Sequence, residues 1–405
     1  MRIGIAGAGL GGLACAYALT KAGGHQVTVF EKAGRLPTSG YGLLLWPSGT
    51  GILRDLGFPA GEMGHRLERL AIHTADGAAL IRLDLNRIAR RYGAPNVVFL
   101  RAELLGRLAA ELPAGCLQLG KQLAAVHEDR PDGAVTLAFA DGTTSEVDVL
   151  IGADGLGSRV RRHLFGEHDR AAYTGWATWH GVSRVDTELT GTRRVKTLTA
   201  KEAMCVMHSL GGDLIYWAFE TPWTVGSATP PGTLADGIAA RALDEQSVSP
   251  AASLKARFAG FTDPMPQLLD VITDDDITIF PHVLHQVPKT WSRGRITLIG
   301  DALHAVPPRA GMGANQALED AWVLSRSLLR AAAPEEALRE YERKRRRRIR
   351  RLYRYASMGI RENGAPSPLL RMSRRGVPIT GAQSFIIRAL SNYLADRDGR
   401  SAAAE

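Results

Sequence analysis

Apolar positions open the chain at once. Ile3 to Ala6 is a short unbroken run, and Leu10 to Ala22 carries small and apolar residues at helical spacing. Gly23-Gly24 ends that helix, and Val27 to Phe30, β-branched and aromatic, reads as a second strand closing at Glu31. Strand, helix and strand within about 30 residues form a βαβ unit, which predicts a parallel sheet. Residues 99–112 predict an amphipathic helix entered by Arg101. Residues 121–154 predict three short strands turning at Pro131-Asp132-Gly133 and Asp141-Gly142. Two further buried strands, Val147 to Ala153 and Arg295 to Ile299, each run straight into a Gly/Asp loop.

The texture changes over residues 173–285. Alternating strands such as Thr197–Thr199, Met204–His208 and Leu214–Phe219, with Gly211-Gly212-Asp213 as a hairpin turn, predict a mostly antiparallel sheet. Residues 230–260 predict helix. So does the stretch from 314 to about 360, after which Pro366, Pro368 and Pro378 break it. Phe385 to Leu394 predicts a last amphipathic helix, and Ser401 to Glu405 a disordered tail.

Composition adds limits. With 405 residues, 45% apolar and 22% charged, the chain suits two joined globular domains. Cys15, Cys116 and Cys205 stand far apart without metal-ligand spacing. That argues against a disulfide framework or a zinc site and fits a reducing cytoplasm. The sequence shows neither an apolar run long enough for a transmembrane helix nor a signal peptide.

Charge is uneven. Residues 321–405 carry 19 Lys and Arg against 8 Asp and Glu, and the remainder 31 against 33. The run from Arg343 to Arg351 reads first as a solvated helix face. Attraction to an anionic cofactor, a substrate or a peripheral membrane surface is the alternative. No reading motif accompanies it, so nucleic acid is not an expected partner. Monomer and dimer both remain open.

The chemistry sits in loops. Gly7-Ala8-Gly9-Leu10-Gly11-Gly12 fits G-x-G-x-x-G after a strand and before a helix, with the acid Glu31 about 20 residues later. Gly7 permits the tight turn, Gly9 lets backbone approach a pyrophosphate, and Gly12 lets helix pack on strand. The helix N-terminus offers free N–H groups to a diphosphate. Glu31 can accept hydrogen bonds from both ribose hydroxyls. This motif alone fits NAD and FAD equally.

Two later segments separate them. One is Asp148-Val149-Leu150-Ile151-Gly152-Ala153-Asp154-Gly155-Leu156-Gly157-Ser158-Arg159-Val160-Arg161. The other is Gly300-Asp301-Ala302-Leu303-His304, continuing through Pro308, Gly311, Gly313, Ala314, Asn315 and Asp320. With the first loop they resemble, in order and spacing, the three signatures of the FAD-dependent flavoprotein monooxygenases with the p-hydroxybenzoate hydroxylase fold. The likeness spans roughly residues 1–360. Tyr173-Thr174-Gly175-Trp176 to Gly181 resembles the branch of salicylate-type hydroxylases, urate hydroxylase and zeaxanthin epoxidase.

The resemblance implies an α/β fold: a Rossmann-type FAD-binding parallel sheet with an inserted, mostly antiparallel substrate sheet and C-terminal helices. The flavin domain would comprise residues 1–70, 98–172 and 286–360, and the substrate domain 71–97 and 173–285, leaving 361–405 as a helical segment and tail. Glu31 matches the family's AMP-ribose acid and Arg101 the arginine along the diphosphate. Asp154 and Gly155 match a pair serving flavin and nicotinamide. Asp301 matches the acid at the ribityl and diphosphate region. Gly313, Ala314 and Asn315 match the loop at the flavin pyrimidine edge, and Gly42 and Leu43, in Gly40-Tyr41-Gly42-Leu43, the loop near the isoalloxazine. Gly7, Gly9, Leu10, Gly12, Lys32, Pro308 and Gly311 complete the implied cofactor set. Free N–H groups after Gly311-Met312-Gly313 would stabilise an anionic reduced flavin. Met312 departs from the family's usual Gln, and Ser48 from its usual Asn.

The implied chemistry is flavin-borne, with no protein nucleophile expected. NADPH or NADH acts as transient reductant and O2 as co-substrate. A C4a-hydroperoxyflavin then hydroxylates or epoxidises an aromatic or lipophilic small molecule. Candidate pocket walls are Trp46, Tyr173, Trp176, Trp179, Met204, Met207 and Trp217, with His180, His208 and Tyr216 as candidate acid–base groups. His304 could touch the flavin. The absence of an arginine on Met204–Met207 argues against small carboxylate substrates. Tyr216-Trp217-Ala218-Phe219 partly fits a prenyl-chain reductase pattern, which keeps that activity as an alternative. A non-catalytic flavin-bearing protein docking through its basic helix is another.

Overall fold

The computed structural model describes residues 1–38, 40–128, 133–167, 169, 171–185, 189–223, 249–308, 311–361 and 377–401. β1 (Arg2–Ala6), α1 (Leu10–Ala22) and β2 (Gln26–Glu31) form the expected βαβ unit. β3 (Gly42–Leu45) leads into α2 (Pro47–Leu56), which starts on a proline, where no N–H is needed, and ends at Gly57 in the left-handed region. α3 (Ala60–Met63), β4 (His65–Leu67), β5 (Arg69–Thr74) and β6 (Ala79–Asp84) follow. Asp84 then caps α4 (Leu85–Tyr92) by accepting the Arg87 N–H.

β7 (Asn96–Leu100) precedes α5 (Arg101–Ala110). The helix expected from residue 99 therefore begins at Arg101, because Phe99 and Leu100 are paired with β3. β8 (Leu117–Leu119), β9 (Leu123–His127), β10 (Val135–Phe139), β11 (Thr144–Val147), β12 (Val149–Gly152) and α6 (Arg159–Phe165) come next. The strand expected over Val147–Ala153 is split at Asp148, whose carboxylate takes the Arg2 N–H and guanidinium. The Asp141-Gly142 turn is present, while residues 131–132 of the other turn lie outside the described residues.

The middle holds β13 (Ala172–Arg184), β14 (Arg194–Ala200), β15 (Ala203–Gly211) and β16 (Leu214–Pro222), then α7 (Pro250–Phe258), α8 (Met265–Val271) and β17 (Thr278–Leu284). Of the helix expected over 230–260, only residues from 249 onward are described. β18 (Ile296–Leu298), α9 (Asp301–His304), α10 (Gly313–Leu328), α11 (Pro334–Arg361), β19 (Val377–Pro378), α12 (Thr380–Leu390) and α13 (Asn392–Ser401) complete the chain. Pro366, Pro368 and residues 402–405 lie outside the described residues.

Two expected helices are each a pair. The stretch from 314 to about 360 breaks between Leu328 and Pro334, which starts the second helix where a proline fits best. Phe385–Leu394 is interrupted at Ser391, because buried Glu319 accepts the N–H groups of Asn392 and Tyr393 and starts a new helix there.

Four sheets result. The parallel sheet runs β18-β12-β1-β2-β8, and the meander β11-β10-β9 packs on it where Gly4 faces Val147. A small sheet β3-β7-β4 bridges to an eight-stranded, mostly antiparallel sheet, β17-β13-β16-β15-β14-β5-β6-β19. One face of that sheet packs α7 and α8 in a second apolar core containing Ala177, Cys205, Met207, Trp217, Phe219, Phe258 and Met265.

Strand alternation decides what reaches the other face. His180, Val206, His208, Tyr216 and Ala218 share it, by register and by contact with the small sheet. Trp179, Met207 and Trp217, expected as pocket walls, belong to the α7–α8 side instead. Each is one residue out of phase with a cleft-facing neighbour, and Trp217 donates its indole N–H to Ser183 there.

The arginine run is not a solvated face throughout. Arg345 is fully buried with Asp320 and Glu319, and Arg348 and Arg351 donate to the Ala389 carbonyl at the end of α12. Arg343, Arg347, Arg350 and Arg354 do face solvent.

Candidate active site

The first glycine loop is shaped by close approach. Gly7 has φ 103°, and a side chain there would meet the Ala153 carbonyl at 2.4 Å; one at Gly12 would meet the Gly7 carbonyl at 2.1 Å. At Gly9 nothing lies nearer than 4.0 Å, and no side chain caps α1, so its first N–H groups face open space. Glu31 ties the loop to the end of β2, accepting the N–H groups of Ala8 at 2.7 Å and Ala33 at 3.0 Å.

The three loops meet. Gly7 packs on Ala153 and Asp154, and α1 crosses α10 with Gly11 against Ala317, which also abuts Gly300. Gly300 adopts φ 58° and turns the chain into α9, so that Asp301 begins one short helical turn. Asp301 is exposed. Surrounding protein still raises its pKa by desolvation, opposed by His304 and Arg101. Arg161 grips the Ala302 and Leu303 carbonyls, and His285 Nδ1 meets the Asp301 carbonyl at 3.2 Å.

Asp154 differs from its expected role in one respect. Its carboxylate is turned onto α6, accepting Ser158 Oγ at 2.5 Å and Arg159 N–H at 2.7 Å, so its side chain is a helix cap while its backbone lines the glycine loop. Gly155 follows it in the left-handed region. Trp46 is a brace rather than an open pocket wall. Its backbone N–H donates to Asn315 Oδ1 and its indole N–H to the Gly311 carbonyl. Asn315 is itself fully buried and donates back to Leu44 and Gly311, locking the loop before α10 to β3. Leu10 is buried at the start of α1, and Met312 buries its side chain before Gly313 and Ala314. Lys32, directly after β2, and Pro308, beyond the end of α9, are both exposed.

Across the cleft stands Tyr41, in the Gly40-Tyr41-Gly42-Leu43 loop. Its ring lies 5.6 Å from the Arg101 guanidinium and 5.0 Å, edge-on, from His180. His180 lies 6.1 Å from Tyr216, which lies 4.9 Å from His208; Gly42 packs directly on Tyr216 and His208. Burial lowers the pKa of His180 and His208 to about 4, so both are neutral near pH 7, and burial raises those of Tyr41 and Tyr216. His180 Nδ1 is buried without a partner among the described residues. Trp176 and Met204 share this face by register, and Tyr173 bonds to the Trp223 carbonyl.

The residues fit an anionic, elongated aromatic cofactor such as FAD. Gly9 leaves a cradle beside uncapped helix N–H groups. Arg101 makes no ion pair among the described residues, and His304 Nδ1 is a buried orphan beside Asp301.

Known proteins agree. Residues 5–40 match the NAD(P)-binding Rossmann-like domain family and residues 272–356 the FAD binding domain family. The chain is 34% identical over 389 residues to 3-amino-4-hydroxybenzoate 2-monooxygenase PtmB3 of Streptomyces platensis, covering 93% of this chain and 92% of the relative. It is 32% identical over 371 residues to 6-hydroxynicotinate 3-monooxygenase of Bordetella bronchiseptica, covering 87% and 90%. The solved structure of Klebsiella pneumoniae HpxO complexed with FAD and uric acid matches with TM-score 0.84 at 25% identity, over 96% of this chain and 97% of that one. This protein is accordingly an FAD-dependent monooxygenase that uses reduced nicotinamide and O2. None of the relatives named is a prenyl-chain reductase or a non-catalytic binder. Among the described residues no helix is long and apolar enough to cross a membrane. The chain belongs to the class A FAD-dependent monooxygenases, the flavoprotein hydroxylases of the p-hydroxybenzoate hydroxylase fold.

Proposed function

We propose that this enzyme hydroxylates a small aromatic ring bearing an O–H or N–H donor, seated between the flavin and the His180 face of the large sheet. The observation carrying this reading is His180 Nδ1, a buried ring nitrogen without a partner among the described residues, beside Tyr41 and Tyr216. When bound, FAD supplies hydride acceptance from NAD(P)H and activation of dioxygen. The chain's residues do the rest. The Gly9 loop and the α1 N-terminus hold the diphosphate, Glu31 the adenosine ribose, Arg101 the diphosphate flank, Asp301 the ribityl region, and Gly313 to Asn315 the pyrimidine edge.

His180 accepts a hydrogen bond from the substrate and directs electron density into the ring. With a pKa of about 4 it orients and polarises rather than carrying a full proton. The apolar neighbours Val206, Ala218 and Met204 exclude water from the reacting face. The division into flavin segments 1–70, 98–172 and 286–360 and substrate segments 71–97 and 173–285 belongs to this proposal. So does a cytoplasmic location, which the three free thiols support.

The test is a panel of phenols, aminophenols and hydroxylated N-heterocycles, scored by NADPH oxidation and O2 uptake. An active compound should lose turnover most in His180→Phe. A panel in which the best substrates lack any donor group, or in which His180→Phe is fully active, would sink the reading.

A further inference from the structure

Asp320 on α10 is fully buried, and both its oxygens are engaged. Oδ2 accepts the Gly300 N–H at 2.9 Å and lies 2.6 Å from His304 Nε2, while Oδ1 accepts Arg345 Nε at 2.7 Å. One carboxylate thus holds the α9 turn from both sides: the N–H just before Asp301 and the imidazole three residues after it. Arg345 reaches it from α11 and spends its other N–H groups on Gln316 Oε1 at 2.7 Å and Asn392 Oδ1 at 2.9 Å. Arg345 and His304 together keep the Asp320 pKa below the usual range against the effect of burial.

Glu319, the preceding residue, is a natural control. It is equally buried and stands 3.7 Å from Arg345. Its hydrogen bonds go to Ser391 Oγ and to the N–H groups of Asn392 and Tyr393, all at the start of α13. Two adjacent acids share one arginine, but only Asp320 touches α9.

We propose that Asp320, held by Arg345 and His304, is a positioning residue for the flavin site. It fixes the Gly300–Asp301 turn, which rests on the reading of Asp301 as a flavin contact. The physical need is plain. Four residues are too short to hold a helical turn by themselves, and Gly300 is the residue least restrained by its own backbone. Arg161 and His285 hold the carbonyl side of the turn. Asp320 supplies the acceptor for the donor side.

The experiment compares Asp320→Asn, Glu319→Gln and Asp301→Ala in the full chain. It reads the FAD dissociation constant by flavin fluorescence quenching, the midpoint potential of bound flavin, and apoprotein thermal unfolding. Asp320→Asn should raise the FAD dissociation constant about tenfold and shift the potential, as expected for one lost buried hydrogen bond. Glu319→Gln should lower the unfolding temperature but leave FAD affinity within about threefold, since it loses no flavin-side contact. His304→Leu should repeat the Asp320→Asn effect, and His304→Gln, whose amide N–H can replace Nε2–H, should restore most of it. Equal FAD affinities for Asp320→Asn and Glu319→Gln would overturn the proposal. Should Asp320→Asn not fold, equal affinities of the two His304 variants would overturn it. Wild-type affinity in Asp301→Ala would overturn the underlying reading; weakened Asp301→Ala beside unaffected Asp320→Asn would overturn this proposal alone.

Discussion

The ring of Tyr41 meets the ring of His180 edge-on at a centroid distance of 5.0 Å. His180 stands on the large sheet, and Tyr41 precedes the strand that pairs with β7 in the small one. Tyr41 also carries the Arg101 guanidinium 5.6 Å from its centroid. A single aromatic side chain thereby links Arg101 to His180 across the cleft.

Tyr41→Phe keeps the ring and should keep both contacts. Tyr41→Ala removes them, an effect of about 1–2 kcal/mol from one aromatic pair and one cation–π contact. It should raise both the FAD dissociation constant and KM several-fold. FAD titration beside steady-state kinetics checks this, and a Tyr41→Ala enzyme with wild-type values in both would contradict it.

Gly9→Val should yield protein that folds but purifies without yellow colour, because the open space at Gly9 is where a diphosphate would approach the backbone. Glu31→Ala should also lose flavin, and in addition loosen the loop held through Ala8 and Ala33. The flavin-to-protein absorbance ratio is the measure. Full occupancy in both variants would contradict the placement of FAD at this loop.

Acid should destabilise the protein partly through His180. Its folded pKa of about 4 lies below the ordinary 6.5, so its contribution is complete above pH 6.5 and is lost as pH falls toward 4. The limiting size is about 3 kcal/mol, from a shift of that extent. Urea unfolding at pH 7 and pH 4.5 should show a smaller acid loss in His180→Gln, with His208 supplying a remaining part of like sign. An identical acid loss in wild type and variant would rule this out.

Within the arginine run, position decides the outcome. Arg345→Met takes the guanidinium away from two buried carboxylates and should cost about 3–5 kcal/mol. Arg347→Ala, on the exposed face, should change stability by less than about 0.5 kcal/mol. Thermal unfolding of the two variants side by side measures the contrast.

Legibility followed locality. The βαβ unit, the loops at Gly7 and Gly300 and the hairpin at Gly211-Gly212 were readable because each is a short pattern of glycines, acids and apolar runs. Strand facing was harder: Trp179 and His180 are neighbours, and only the register of β13 against β16 says which one meets the cleft. The breaks at Pro334 and Ser391 come from tertiary contacts or from a proline inside a helical pattern. A signal for Arg345 did exist. Tyr341, Ile349 and Leu352 stand four before, four after and seven after it, and all are buried, which puts Arg345 on the apolar stripe of α11.

Because neighbouring residues of β13, β15 and β16 serve opposite sides, the enzyme can vary its diet without renegotiating its foundations. Exchanges at His180, Met204, Val206 or Ala218 would change only the cleft-facing side, while Ala177, Cys205, Met207 and Phe219 anchor the layer of α7 and α8 behind it. Descendants of such a scaffold would be expected to diverge at every second position along these strands.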